Sequence, residues 1–418
     1  MKPLTGVKIL VPPALFPLGM SAALSLLGDL TLFASLVPRL ESLALTLPQL
    51  GVLFSIHRLI RIPGNPLVGQ LADRVGRRPL FISGMLLAVI STAGYGFSVG
   101  FVPFLVCRLA WGAAWALINT TGMTITMDIS NDESRGKLAG VYNSWLWVGF
   151  ALAPFLGGYL VDHLPFRQAM LLLAFFTGLG LIASYLFLPE TLVPRVKNQP
   201  QPGSRLRQKV AGMISQARSL NWQAMIMMAV FLFAGEGLLL STLSLLLTDR
   251  FGQQVAIGQT TVGIATTAGT LFMLRAVLAG IIGPLAGHLS DRCGRLITVT
   301  FSALLGAGSL IIILYAGSMT GILAGILLSA LASAAGNAVL TAWMGDNARR
   351  DAQGATFGWF AMIGDIGSAL GPMLALFIYP LAGIAPAYWV GVILFALSAA
   401  WLNSSRLTSK RTSVSVSG

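Results

Sequence analysis

Twelve segments of the chain are each long and apolar enough to cross a lipid bilayer as a helix. A hydrocarbon core of ~30 Å needs roughly 20 apolar residues in a helix. The segments are too long and too continuously apolar for the alternating strands of a membrane barrel. Only 10% of the residues are charged, against roughly 25% in soluble proteins, which argues against a soluble enzyme. We number the segments as spans one to twelve, predicted at 13–37, 47–71, 79–98, 103–127, 137–161, 167–188, 222–248, 261–288, 295–316, 320–345, 354–379 and 384–404.

The charged loops predict the orientation of the chain in the membrane. An even number of spans places both termini on one face, and the positive-inside rule makes the cationic face cytoplasmic. The opposite face carries only Arg39, Arg167 and Arg250. We therefore predict a multi-pass membrane protein with both termini cytoplasmic. The short outward loops favour a prokaryotic cytoplasmic (inner) membrane. Because the cationic loops account for most of the net charge of +13, we expect no nucleic-acid partner. The cationic face carries Lys2, Lys8, Arg74, Arg77, Arg78, Arg135, Lys137, the 195–218 stretch, Arg292, Arg295, Arg349, Arg350 and the tail at Arg406–Arg411.

The two halves of the chain repeat each other at an offset of 218 residues. Residues 69–78 read GQLADRVGRR and residues 287–295 read GHLSDRCGR, and the same register pairs Asp128 with Asp346 and Pro154 with Pro372. Two parallel six-helix repeats form a known transporter architecture. We predict an all-α membrane protein with two pseudo-symmetric six-helix bundles, at 1–189 and 222–405, joined by a cytoplasmic linker at 190–221 and followed by a cytoplasmic tail at 406–418.

These motifs carry a family resemblance along nearly the whole chain. The Gly69–Arg78 loop and its copy after span eight resemble the signature loops of the major facilitator superfamily. Within that superfamily the chain is most similar to the twelve-helix drug:proton antiporters. Arg108-Leu-Ala-Trp-Gly112 resembles their span-four motif with Trp111 where Gln is usual, and Gly149 to Gly158 resembles their span-five antiporter motif with Ala153 in place of its central Gly.

The resemblance implies roles for the loop and small-residue motifs. The charged loops would form a network that latches the two bundles at the cytoplasmic side. The small residues of spans five and eleven would form a closely packed seam between helices. The predicted gating residues are Gly69, Asp73, Arg74, Gly76, Arg77, Asp128, Arg135, Asp291 and Arg292, and the predicted packing residues are Gly149, Pro154, Gly157, Gly158, Gly371 and Pro372.

Ionisable residues inside the spans are costly, so each is a candidate functional residue. Arg58 lies 11 residues before Gly69 and Arg275 lies 12 before Gly287, which places both ~16–18 Å from that end and near mid-membrane. Because cations outnumber acids in the spans, we predict a substrate with negative charge, held by His57, Arg58, Arg61, Arg275 and Asp365. The resemblance assigns proton coupling to Asp29 and Arg108, and we add Glu236. Internal pairing of these arginines with Asp29, Glu236 and Asp365 is the structural alternative.

The leading functional prediction is a secondary active transporter, a proton-coupled exporter of a small anionic, zwitterionic or amphipathic molecule, working by alternating access. Organic-anion uptake by symport or exchange is the main alternative, followed by a lipid flippase and a non-transporting membrane sensor. No ATP-binding loop or nucleophile–base set points to an enzyme, and two cysteines offer no Cys-rich metal site. We expect no cofactor beyond the proton gradient, and as partners only the substrate, protons and the bilayer around a monomer.

Overall fold

A computed structural model describes residues 12–131, 134–192, 221–257, 260–347 and 353–415, and these segments are almost entirely helical. Eleven of the helices there are long and apolar enough to cross a membrane. The one remaining predicted span, span two, is present in the described residues as two shorter helices. The helices are Leu15–Ser35, Leu47–Leu59 with Arg61–Val75, Arg77–Phe97, Phe101–Asp128, Arg135–His163, Phe166–Phe187, Trp222–Phe251, Ile264–Cys293, Arg295–Tyr315, Met319–Asn347, Gln353–Ala382 and Ala385–Ser415. The predicted all-α membrane fold is confirmed.

Several sequence predictions concern residues outside the described ranges. They are the cations Lys2, Lys8, Arg349 and Arg350 and the linker stretch 195–218. The helix of span twelve runs to Ser415, beyond the predicted end of the span at 404.

Span two is interrupted at Ile60, between the helices Leu47–Leu59 and Arg61–Val75. Pro63 lies directly after the interruption and has no N–H with which to bond the carbonyl of Leu59, four residues earlier. Pro66 removes a second donor inside the following helix. The apolar pattern predicts one continuous span because hydropathy does not register these missing donors.

Span seven contains a π-helix at Phe233–Leu239 between two α-helical parts. Glu236 lies in this segment, flanked by Gly235 and Gly237. A π-turn inserts an extra residue into a helix and is frequent at functional sites. Hydropathy predicted the span but carried no sign of this local change.

Span eight begins three residues later than predicted, because a short antiparallel hairpin of Gln254–Ile257 and Thr260–Gly263 precedes it. The β-branched run Thr260, Thr261 and Val262 favours a strand. The helix then starts at Ile264. Asp162 of span five caps the start of this helix. It accepts hydrogen bonds of 2.7 Å from both the backbone N–H and the hydroxyl of Thr266.

By its contacts the chain divides into two compact units. The first consists of Met1–Leu45, Ile60–Leu192 and Gln253–Met273, and the second of Thr46–Leu59, Val193–Gly252 and Leu274–Gly418. Each unit therefore includes a short piece from the opposite half of the sequence. The division predicted from the repeat, with bundles at 1–189 and 222–405, stays a prediction.

In the first unit, the small residues of span five pack against spans one and eight. A Cβ added at Gly149 would lie 2.9 Å from the carbonyl oxygen of Ala23, and one at Gly157 would overlap the Thr31 side chain. A Cβ at Gly158 would overlap the backbone of Ala265 in span eight. These glycines allow the helix backbones to approach closely, as small residues do in membrane proteins.

In the second unit, span eleven packs in the same way on spans seven and two. A Cβ at Gly371 would lie 2.5 Å from the backbone nitrogen of Leu238. Beside Pro372, the Ser55 hydroxyl of span two donates a 2.6 Å hydrogen bond to the Ala369 carbonyl. The packing glycines and prolines predicted from sequence thus lie at close helix contacts within both units.

Gly158→Ala should destabilise the protein, because the added methyl group has no room against the backbone of span eight. Gly140→Ala is the matched control in the same helix, since no atom lies within 4 Å of its added Cβ. The control should be neutral or stabilising by up to about 1 kcal/mol, the helix-propensity difference between the residues. Thermal unfolding of the two purified variants tests this, and a Gly158→Ala protein as stable as the control would contradict it.

Candidate transport site

Glu236 lies between two arginines from different spans of the second unit. Its Oε2 is 3.7 Å from Nη2 of Arg58 in span two, and its Oε1 is 3.3 Å from Nη1 of Arg275 in span eight. Nη2 of Arg58 also approaches the Glu236 carbonyl oxygen at 3.5 Å. One carboxylate therefore bridges two guanidinium groups that the sequence assigned to substrate binding.

The three side chains differ in their exposure. Arg58 and Arg275 are 11% and 9% exposed, whereas Glu236 is 31% exposed. The carboxylate is therefore more accessible than the two guanidinium groups that it bridges. An arginine is suited to bind a carboxylate or phosphate through two parallel hydrogen bonds, so this arrangement can hold an acidic group in place of Glu236.

The local fold of span seven places Arg275 precisely beside Glu236. A Cβ added at Gly235 would lie 2.7 Å from Nη2 of Arg275 and 2.8 Å from Oγ of Ser333. Arg275 donates to this hydroxyl of span ten at 3.1 Å. Ser333 was missed in the sequence because it stands in an ordinary run of small residues, Ser329 to Gly336.

The remaining predicted substrate residues lie on spans two and eleven. His57 and Asp365 are buried in span two and span eleven of the second unit. Arg61 is half-buried at the start of the second helix of span two, in the first unit. Their assignment to substrate binding stays a prediction.

In the first unit, Asp29 of span one and Arg108 of span four form a buried ion pair. Arg108 donates from Nη1 to Oδ1 of Asp29, and its side chain is fully buried. The guanidinium also lies 5.8 Å from the centre of the Phe33 ring. The sequence placed these two residues in one role, and the structure joins them directly.

Arg77 organises the loop after span two. Its Nη2 is 3.0 Å from Oδ1 of Asp73 and its Nε is 3.2 Å from Oδ2 of Asp128. The repeat is obeyed in the second unit, where Arg295 pairs with Asp291 at 2.6 Å and Asp346 at 3.0 Å. Arg295 was not among the predicted gating residues, although the offset of 218 from Arg77 could have identified it. Four predicted gating residues have exposed or half-buried positions beside these two clusters: Gly69, Arg74, Arg135 and Arg292.

Glu190 connects this loop to the end of span six. It is the first residue of the predicted linker and was not among the predicted site residues. Its carboxylate accepts hydrogen bonds from the backbone N–H groups of Arg77 at 3.0 Å and Arg78 at 3.2 Å, which begin the helix of span three. Gly76, at φ +112°, leaves space for it, since a Cβ there would lie 2.5 Å from Oε2. Partial burial alone would raise the pKa of Glu190, but hydrogen bonds from Leu192, Arg77, Arg78 and Thr191 lower it below its ordinary value.

Comparison with known proteins decides the family. The sequence model described as Major Facilitator Superfamily matches residues 18–266 and 256–415, which is nearly the whole chain. The chain belongs to the Major Facilitator Superfamily. It is therefore a multi-pass membrane protein of a family of transporters, and the predicted membership is confirmed.

Similar proteins extend this result. The tetracycline resistance protein, class H, of Pasteurella multocida is 24% identical over 348 residues, covering 82% of both chains. Citrate exporter 1 of Aspergillus niger is 25% identical over 179 residues, which are 43% of this chain and only 34% of the exporter. The crystal structure of the human organic anion transporter MFSD10 (TETRAN) superposes with a TM-score of 0.62 at 22% identity, covering 94% of this chain and all of that one. The predicted resemblance to drug-efflux members is thus confirmed as a resemblance.

Glu190→Gln should lower stability near neutral pH and leave it unchanged in acid. A carboxyl whose pKa is lowered by folding stabilises the protein above its unfolded pKa of about 4.3, and this contribution disappears as pH falls through the folded value. The melting temperatures of wild type and variant should differ from pH 7 down to about pH 4.3 and converge only as the pH falls further, through the folded pKa. Glu41→Gln, at an exposed glutamate, is the control, and a pH-independent gap for Glu190→Gln would refute this role.

Asp29→Asn and Arg108→Gln should each destabilise the protein by about 3–5 kcal/mol, because each leaves one buried partner uncompensated. The double variant should be more stable than either single variant, since no buried charge remains. Chemical unfolding in detergent measures all three. A double variant no more stable than both singles would show that the pair is not coupled.

Proposed function

We propose that this chain is a secondary transporter that carries a small organic anion across the membrane by alternating access. The observation that carries the proposal is the sharing of one carboxylate, Glu236, by the guanidinium groups of Arg58 and Arg275. Both arginines belong to apolar spans, where an isolated charge is costly. We propose that these two guanidinium groups also bind the acidic group of the substrate.

The charge balance of the spans supports an anion. The interior arginines are four, Arg58, Arg61, Arg108 and Arg275, and the interior acids are three, Asp29, Glu236 and Asp365. The formal charges of these seven groups, four positive and three negative, sum to +1. A carboxylate, sulfonate or phosphate on the substrate would supply the missing negative charge, and guanidinium groups bind such oxygens in defined geometry.

The relatives agree with this substrate class. Two of them are named for organic acids or anions, the citrate exporter and the human organic anion transporter. A third relative is named for resistance to tetracycline. We propose a monocarboxylate, dicarboxylate or amphipathic acid as substrate.

Proton coupling would involve the buried acids. Asp29, paired with Arg108, and Glu236, paired with two arginines, can each exist in a charged or a neutral form as their surroundings change between conformations. The Arg77 and Arg295 clusters would bias the equilibrium between conformations, since a transporter needs only a few kcal/mol to favour one state. We further propose that the protein is a monomer in a cytoplasmic membrane, with both termini cytoplasmic.

The direction of transport separates the two leading functions. Export in exchange for protons is favoured by the span-five motif and by the names of the relatives. Uptake together with protons uses the same anion site. Transport into everted vesicles under an imposed pH gradient distinguishes them, because the sign of the gradient that drives accumulation is opposite in the two cases.

Arg58→Gln and Arg275→Gln should each reduce anion counterflow in proteoliposomes by at least tenfold, since a lost charged hydrogen bond costs about 1.5–3 kcal/mol. Labelled benzoate, succinate and citrate serve as probes. Lys137→Gln, which removes an exposed cation at the end of span five, is the control and should transport like wild type. Wild-type rates in both arginine variants, or no transport of any probe by wild type, would refute the anion site.

A further inference from the structure

The carboxylate of Glu236 occupies the position that an acidic substrate would need. It uses Nη2 of Arg58 and Nη1 of Arg275, while Nη2 of Arg275 bonds Ser333. An incoming carboxylate that binds these guanidinium groups through paired hydrogen bonds must displace Glu236 or lie against it. The protein therefore holds an internal substitute for the substrate's acidic group.

Two carboxylates at one site repel each other. Like-charge proximity raises the affinity of one of them for a proton, as in paired carboxylates generally. Because binding linkage is reciprocal, a proton on Glu236 must strengthen anion binding by the same factor. Protonation also weakens the attraction of Glu236 for Arg58 and Arg275, since a neutral carboxyl no longer attracts them as an ion.

Other titratable groups lie on the elements that pack near Glu236. Span two carries His57 beside Arg58, and span eleven carries Asp365. Tyr388 of span twelve shares a 3.0 Å hydrogen bond with Thr242, away from the arginines. Among the ion pairs described within the second unit, Glu236 is the acid that Arg58 and Arg275 have in common.

We infer that Glu236 is the proton site of anion transport, and that it takes up a proton when the anion binds. The proton adds to a carboxylate oxygen of Glu236 and the anion takes over the two guanidinium groups, so the net charge of the site is conserved between the empty and the loaded form. This inference rests on the proposed anion site and specifies its coupling.

The inference determines the sense of coupling. A proton and an anion that bind together travel in the same direction, so an inward proton gradient would drive the anion inward. This departs from exchange-driven export, the leading prediction from sequence, and favours the symport alternative for this site. The empty protein can return because Glu236, once deprotonated, again neutralises part of the arginine charge.

Calorimetric titration of the wild-type protein with benzoate tests the inference without a variant. Benzoate suits the test because its acid group stays ionised through the neutral range. Titration in two buffers with different ionisation enthalpies counts protons, and we expect close to one proton taken up per benzoate bound. Between neutral and mildly acidic pH the affinity should rise by up to about tenfold per pH unit. Benzoate binding with no proton uptake would overturn the inference while leaving the anion site intact.

Glu236→Gln gives a second, independent readout, because glutamine resembles the protonated acid in shape and charge. The variant should bind benzoate at neutral pH at least as tightly as wild type does in acid, with no proton uptake and no pH dependence. It should lose benzoate accumulation driven by a pH gradient. Arg58→Gln should lose benzoate binding at every pH. Weaker binding in Glu236→Gln than in wild type, or an unchanged pH dependence, would contradict the role of Glu236, whereas no benzoate binding by wild type would instead refute the anion site.

Discussion

The cost of placing an ionised side chain in an apolar membrane interior governs this structure. Three arginines within the spans form described ion pairs: Arg108 pairs with Asp29, and Arg58 and Arg275 both pair with Glu236. The two arrangements differ in exposure and in how the carboxylate is shared. The pair of Arg108 and Asp29 is buried. In the second arrangement one partly exposed carboxylate bridges two guanidinium groups, and ionisable groups of this kind inside a membrane are candidates for binding a charged ligand.

The internal repeat is followed closely at the membrane surface and less closely among the charged residues of the interior. Arg77 and Arg295 make equivalent ion pairs, and the small residues of spans five and eleven make equivalent close contacts. Both halves of the chain therefore share these contacts. The charged residues of the interior correspond less closely, since at the offset of 218 Arg275 aligns with His57 rather than with Arg58.

Most of the fold was predictable because hydropathy, the 218-residue offset and the charged loops are long-range patterns that no single residue can mask. The details of the site were less accessible. The interruption at Ile60 depends on absent N–H groups, and the π-helix around Glu236 depends on tertiary contacts that flanking glycines permit but do not specify. Glu190 and Ser333 contribute through backbone and hydroxyl bonds, and their types are common at such positions. The sequence identifies Arg58, Arg275 and Glu236 as charges within the spans. Only the structure shows that the carboxylate of Glu236 bridges the two arginines.

The π-helix of span seven carries one more residue per turn than its α-helical neighbours at the point where Glu236 projects. Conversion of that turn to α geometry would rotate one part of the span against the other by about 100°. Such a change would alter the direction in which Glu236 projects relative to Arg58 and Arg275, because Glu236 lies within the π-helix. The π-helix thus makes the position of the Glu236 carboxylate depend on the local backbone geometry of span seven.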